Sequence, residues 1–196
     1  MLFRSGVPSA VKTFNWLATL WGGRLRFTAA MHYALGFVSL FITGGITGLV
    51  LGQPGLDIYF HDTYFIVAHF HYVLFGGSIM GIMAGIYFYF PKMFGQYMDE
   101  TLGTWHFWLN FIAMNLTFFP MHFSGLLGMP RRIYTYDAGQ GWEKFNLASS
   151  LGTLLLIIAT AIFVYNFFRS RKNGLVAPND AWGAATLEWS IPSPPP

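Results

Sequence analysis

From Ala29 to Leu51 the chain carries no Asp, Glu, Lys or Arg. That run is longer than the ~20 apolar residues an α-helix needs to cross the hydrocarbon core of a bilayer. Similar runs extend from about Thr63 to Phe90, from Thr104 to about Leu126, and from Phe145 to Phe168. A shorter one, Gly6 to Trp21, is broken by Lys12 and Asn15 and reads as the end of a crossing. In lipid every backbone N–H and C=O must be satisfied within the protein, so such runs become helices. The expected fold is therefore all-α and integral to the membrane: four full transmembrane helices plus the end of a fifth. Composition agrees, with 10% charged residues and a mean hydropathy of +0.46, against the ~25% charged of ordinary soluble domains.

The connecting segments carry the punctuation. Asp62 or Thr63 is placed to cap the third run, and Pro120 should kink the fourth. Gly44 and Gly48 form a small-residue ridge on which another helix can pack closely. Gly77, Gly81 and Gly85, four residues apart, make a second such face. A loop from Gly128 to Lys144 contains Met129-Pro130-Arg131-Arg132. The tail, residues 173–196, ends in Ser193-Pro194-Pro195-Pro196 and is expected to be extended or disordered.

Alternating spans sort the basic residues onto two sides. Lys12, Arg24, Arg26, Lys92, Arg169, Arg171 and Lys172 fall on one, and Arg131, Arg132 and Lys144 on the other. The positive-inside rule makes the first side cytoplasmic, with the tail. The net charge of +3 is thus spread over helix ends and is no nucleic-acid patch. The absence of cysteine excludes disulfides, iron–sulfur clusters and thiolate metal sites, so metal chemistry here must use imidazole and oxygen. Met1 to Ser5 has no apolar core behind it and does not read as a signal peptide.

Chemistry concentrates at the entry of the third run, His61-Asp62-Thr63-Tyr64-Phe65-Ile66-Val67-Ala68-His69-Phe70-His71-Tyr72-Val73. On a helix, residues two apart are rotated by roughly 200°, so His69 and His71 point to nearly opposite sides. They cannot chelate one ion together, but each can ligate a different metal centre. Ionisable groups at that depth are expensive and usually functional, and haem iron suits one imidazole per face. Buried, hydrogen-bonded structural histidines are the bland alternative. Arg131 and Arg132, at the same outer depth, are placed to clamp haem propionates, or are simply a solvated pair. His61-Asp62 can hold a hard cation such as magnesium or manganese at the water interface, or serve as a helix cap. Lys12 can snorkel to the surface or serve a proton path. His32 and His106 lie near the cytoplasmic end, which leaves His122 as the spare histidine at roughly the depth of His69.

These residues resemble subunit I of the haem–copper oxidases, of the cytochrome c oxidase type. The likeness rests on the stretch His61–Val73, on Leu17-Ala18-Thr19-Leu20-Trp21-Gly22-Gly23, on Asn115-Leu116-Thr117-Phe118-Phe119-Pro120, and on Gly128-Met129-Pro130-Arg131-Arg132. It runs in order along nearly the whole chain. The tail Thr186-Leu187-Glu188-Trp189 with its closing prolines is similar to bacterial versions.

The resemblance implies the last five helices of a twelve-helix bundle, starting inside the eighth, with residues 1–172 as its transmembrane part and 173–196 as a cytoplasmic Pro-rich tail. It implies His69 as the axial ligand of haem a3, His71 as one of two axial ligands of haem a, and Phe70 between the haems. His61 and Asp62 would hold magnesium or manganese with a carboxylate from subunit II. Arg131 and Arg132 would sit on haem propionates. Lys12 would belong to a proton-input channel, with Ser9 standing where the family usually has threonine. The copper ligands, the second ligand of haem a and a further proton channel belong to helices this chain lacks, so alone it is expected to be inactive. The implied partners are the missing N-terminal part of subunit I, subunits II and III, and cytochrome c by way of subunit II, in a bacterial plasma membrane. Two other readings stay open from the residues alone: a self-contained electron carrier in which His122 pairs with His71 or His69 on one haem, and a channel or transporter bundle with structural histidines.

Overall fold

The computed structural model describes residues 6–184 and 186–196; Met1 to Ser5 lie outside the described residues. The regular elements among the described residues are helices: α1 (Val7–Leu20), α2 (Ala29–Leu51), a short α3 (Pro54–Phe60), α4 (Tyr64–Leu74), α5 (Met80–Phe94), α6 (Glu100–Leu126) and α7 (Glu143–Asn173). A π-helical turn, Phe75–Ile79, joins α4 to α5, so the two form one continuous rod from Tyr64 to Phe94. Three helices are both long and apolar enough to cross a membrane: α2, the α4–α5 rod and α7. At 27 residues α6 is long enough as well. Its His106, Asn110, Thr117 and His122 lower its apolarity, and all four are buried within the bundle.

The long helices pack side by side at glycines. A methyl at Gly44 would sit 3.0–3.1 Å from Val73 and Tyr72, and one at Gly76 would meet Leu40 at 2.5 Å. These two positions lock α2 against the α4–α5 rod. Gly125 brings α6 so close to α4 that a methyl would overlap the backbone of Phe65, and Gly152 does the same for α7 against Thr117. The ridge expected at Gly44 and Gly48 therefore exists. Of the second expected face, a methyl at Gly77 would lie 3.6 Å from Phe41 of α2, whereas at Gly81 and Gly85 it would meet nothing within 4 Å, so that face is engaged at one end only. α1 lies at the margin. Its Trp16 sits edge-on to Phe37 and Phe41 of α2, and no residue of α1 is buried.

One end of the bundle is held by a buried polar cluster. Tyr33 and Tyr87 both place their hydroxyls on His106 Nδ1, at 2.9 and 3.0 Å, so α2, α5 and α6 meet at one imidazole. Asn166 Nδ2 of α7 donates to the Asp99 carbonyl at 3.1 Å, and the Asp99 N–H donates to Ser170 Oγ at 3.0 Å.

The tail departs from expectation. Instead of trailing off, it folds back over the end of α5. Tyr97 N donates to Leu175 O at 2.8 Å, Ala177 N to Gly95 O at 2.9 Å, and Trp182 Nε1 to Phe88 O at 2.9 Å. Lys92 donates to the carbonyl of Ile191 at 2.8 Å and lies 5.1 Å from the Trp189 ring centroid. The reason is aromatic: Trp182 stacks on Phe88 and Trp189 on Tyr89. Apolar surface at the helix end gives the tail something to bury.

Candidate haem-ligating site

The site begins at the Thr63 cap, whose hydroxyl accepts from Phe65 N at 3.3 Å and so starts α4. Asp62, the other capping possibility, is engaged elsewhere. Helical periodicity from that start sends His69 and His71 to different neighbours. His69 Nδ1 lies 3.0 Å from the Gly44 carbonyl and 3.0 Å from Thr47 Oγ1, both on α2. His71 Nδ1 lies 2.8 Å from the Val67 carbonyl, and its ring stacks on Phe118 of α6 at 4.0 Å and 12°. The two rings rest on different helices, as their spacing requires.

A carbonyl only accepts, so each Nδ1 carries the proton and each Nε2 keeps its lone pair. That is the tautomer a metal-ligating imidazole needs, with its other N–H tied to a backbone acceptor that fixes ring orientation. Gly48 adds a steric condition: a methyl there would stand 2.9 Å from the His69 ring. The residues present therefore fit two imidazoles, each of which could hold its own metal centre. Thr47, Gly44, Gly48 and Phe118 are the supporting residues that sequence reasoning missed. The glycines were legible as packing residues, but nothing in the sequence linked them to an imidazole.

At the outer end the chain closes a small clasp. The Arg131 N–H donates to Asp62 O at 2.9 Å, and Tyr64 N to Met129 O at 2.9 Å, around an antiparallel bridge between Thr63 and Pro130. Arg131 Nε donates to Asp62 Oδ1 at 2.6 Å, and the guanidinium also pairs with that oxygen. This hydrogen bond, reinforced by the guanidinium charge, holds the Asp62 carboxyl below the usual carboxylate range. His61 is exposed, with a ring nitrogen 3.7 Å from Asp57 and the other 3.7 Å from Asp62. Among the described residues, no group of three or more His, Cys, Asp or Glu is gathered to hold a metal ion.

The remaining expected residues scatter. Arg132 is exposed in a left-handed backbone conformation, φ +67°. Lys12 is exposed on α1, 6.0 Å from the Trp16 ring, and Ser9 is half-buried one turn before it. His122 is buried between Phe65 and Tyr72, and its Nε2 has no hydrogen-bond partner.

Comparison with known proteins shows the family. The family described as cytochrome C and quinol oxidase polypeptide I matches residues 3–170. The chain belongs to that family. Within it, the chain is 51% identical over 191 residues to cytochrome c oxidase subunit 1 of Bacillus sp. strain PS3, covering 97% of this chain and 31% of that protein. It is 50% identical to the cytochrome c oxidase subunit 1 of Thermostichus vulcanus, covering 96% of this chain and 34% of that one. The chain thus spans about a third of the length of these relatives. A haem–copper terminal oxidase dimer solved by cryo-EM shares the fold, with a TM-score of 0.67 at 21% identity over 76% of this chain and 27% of that one.

Proposed function

We propose that this chain supplies the C-terminal helices of subunit I in a bacterial terminal oxidase, with its tail in the cytoplasm. The whole assembly would pass electrons from cytochrome c through haem a to haem a3 and copper, reduce oxygen to water and pump protons. The observation that carries this reading is the pair of Nδ1-tied imidazoles, His69 held by α2 and His71 resting on α6. Two such ligands on opposite faces of one rod suit two haems flanking α4, and Phe70 lies between them in sequence.

His69 would hold the iron of haem a3 and His71 that of haem a. When bound, these groups supply the redox chemistry. The chain's own part is to hold two imidazoles rigidly at fixed separation, with Gly44, Thr47 and Gly48 shaping the seat of His69. Arg132 is free of the Asp62 clasp and is the better placed of the two arginines for a propionate; Arg131 would contribute while bridging to Asp62. Asp62 Oδ2 and His61 would offer two of the ligands of a magnesium or manganese ion, the rest coming from subunit II and water. Lys12 and Ser9 on the marginal α1 would meet their proton-path neighbours only when the missing helices pack against that face. Copper ligands would come from those same helices, and subunit III would complete the complex.

A second reading is favoured by one observation, the buried and unpartnered Nε2 of His122. In it His122 and His69 or His71 share one haem in a self-contained carrier. Oxygen consumption by membranes whose oxidase carries this chain separates the readings. His69→Ala should abolish oxygen uptake with reduced cytochrome c, while His122→Ala should leave a working oxidase. Uptake that survives His69→Ala would overturn the oxidase reading.

A further inference from the structure

His69 and His71 are oriented by different means. His69 has its hydrogen-bond partners, the Gly44 carbonyl and Thr47 Oγ1, on α2. The Nδ1 of His71 bonds back to Val67 of its own helix, which ties the ring to α4 but not to a second helix. That role falls to Phe118 of α6, stacked on the imidazole at 4.0 Å and 12°. Phe118 is buried, and it also packs on Phe75, one turn beyond His71 on the same rod, at 6.3 Å.

Ring stacking is individually weak and depends closely on how the rings are placed, so it does not set the register of two helices. Two other contacts between α4 and α6 do. Near the start of α4, Gly125 lets α6 meet the Phe65 backbone. Further along, the Tyr72 hydroxyl donates to Asn115 Oδ1 at 2.8 Å. Tyr72 is 1% exposed. The Asn115 amide is held at its other end, where Nδ2 donates to the Phe111 carbonyl at 2.8 Å, and Oδ1 is thereby aimed at α4. The contacts run in antiparallel order: Phe65 with Gly125, His71 with Phe118, Tyr72 with Asn115. From the first to the second is six residues on α4 and seven on α6, roughly 9 and 11 Å of rise. The stack is therefore in step with the glycine contact. The hydrogen bond closes the register on its other side, one residue from His71 and three from Phe118.

We propose that Tyr72 and Asn115 are positioning residues for His71: their hydrogen bond holds α6 in register, and Phe118 then fixes the plane of the imidazole. Groups that orient a ligand in this way act on the centre without touching it. The inference deepens the proposed function and rests on the reading of His71 as a haem ligand.

The test is electron paramagnetic resonance of the oxidised, assembled oxidase, read beside its haem content. The low-spin ferric signal reports the orientation of the axial imidazole planes. Tyr72→Phe removes one hydroxyl and keeps the buried ring, so it should fold, keep both haems, and shift and broaden that signal. Phe118→Leu, with the hydrogen bond intact, should shift it further. Neither should change the carbon monoxide spectrum of the other haem. Thr117→Val removes a buried hydroxyl that donates to the Ala113 carbonyl of its own helix, and should leave the signal where it is. An unmoved signal in either Tyr72→Phe or Phe118→Leu, with His71→Ala removing it, would overturn the positioning role and leave the oxidase reading standing. An equal shift in Thr117→Val, or equal changes at both haems, would overturn it as general loosening. A low-spin signal that survives His71→Ala would overturn both.

Discussion

Arg131 holds Asp62 twice, by its backbone N–H on the Asp62 carbonyl at 2.9 Å and by its guanidinium on the Asp62 carboxylate. The link spans 69 residues of sequence and pins the loop after α6 to the start of α4. Asp62 has a left-handed backbone, φ +59°, which asparagine tolerates and β-branched residues do not. Asp62→Asn should loosen the 128–142 loop, and Asp62→Val should loosen it more. Protease cleavage within that loop is the measurement.

The same clasp has a defined acid limit. Its carboxyl is held below the unfolded value of about 3.9, so the contribution is fully present above that pH. It is lost as pH falls through the depressed native value. Loop cleavage in the native chain should therefore rise only below about pH 4, while Asp62→Asn should cleave at one rate across that window. A wild-type rise centred near neutrality would point to a different group.

Gly125 and Gly81 offer a matched pair on two helices. At Gly125 an added methyl would overlap the Phe65 backbone, whereas at Gly81 it meets nothing within 4 Å. Gly125→Ala should destabilise the chain by about 1–3 kcal/mol, the usual range for overpacking. Gly81→Ala should be neutral or slightly stabilising, since alanine is the better helix former. Unfolding titrations in mixed micelles would rank the two, and equal midpoints would refute the packing argument.

Thr47 and Gly48 shape the seat of His69 without being ligands. Thr47→Val removes the hydroxyl 3.0 Å from Nδ1, and losses of such supporting groups typically cost 10–100-fold in metal affinity. Gly48→Ala should push the ring out of place and cost more. Both should deplete the haem proposed for His69 and spare the one proposed for His71, as read from haem content per chain in the assembled oxidase.

The tail supplies an independent check. Trp189 is 3% exposed and lies over Lys92. Trp189→Ala should free the tail, so that cleavage between residues 175 and 196 accelerates several-fold while the helices stay intact. Unchanged cleavage would mean that the tail is held by its other contacts, through Trp182 and Tyr97.

The membrane class and the divergence of His69 and His71 were legible in the sequence, because apolar run length and helical period are local properties. The family was legible too, from motifs spread along nearly the whole chain. The packing of the tail is not legible locally: proline content argues for extension, while half-buried Trp182 and buried Trp189 act only once Phe88 and Tyr89 are presented to them. The Asp62–Arg131 clasp was hidden for a similar reason. Each residue had a plausible role alone, and only the Thr63–Pro130 bridge brings them together. α6 shows the converse. Its polar residues depress its apolarity in sequence, yet His106 and His122 are buried against other helices.

His69 and His71 are proposed to serve two different haems. The direct test is the haem spectrum of the assembled oxidase carrying His69→Ala or His71→Ala, with carbon monoxide added to the reduced enzyme. His69→Ala should remove the carbon monoxide-reactive haem and leave the low-spin band, and His71→Ala should do the reverse. Loss of the same haem in both variants, or of neither, would contradict the account.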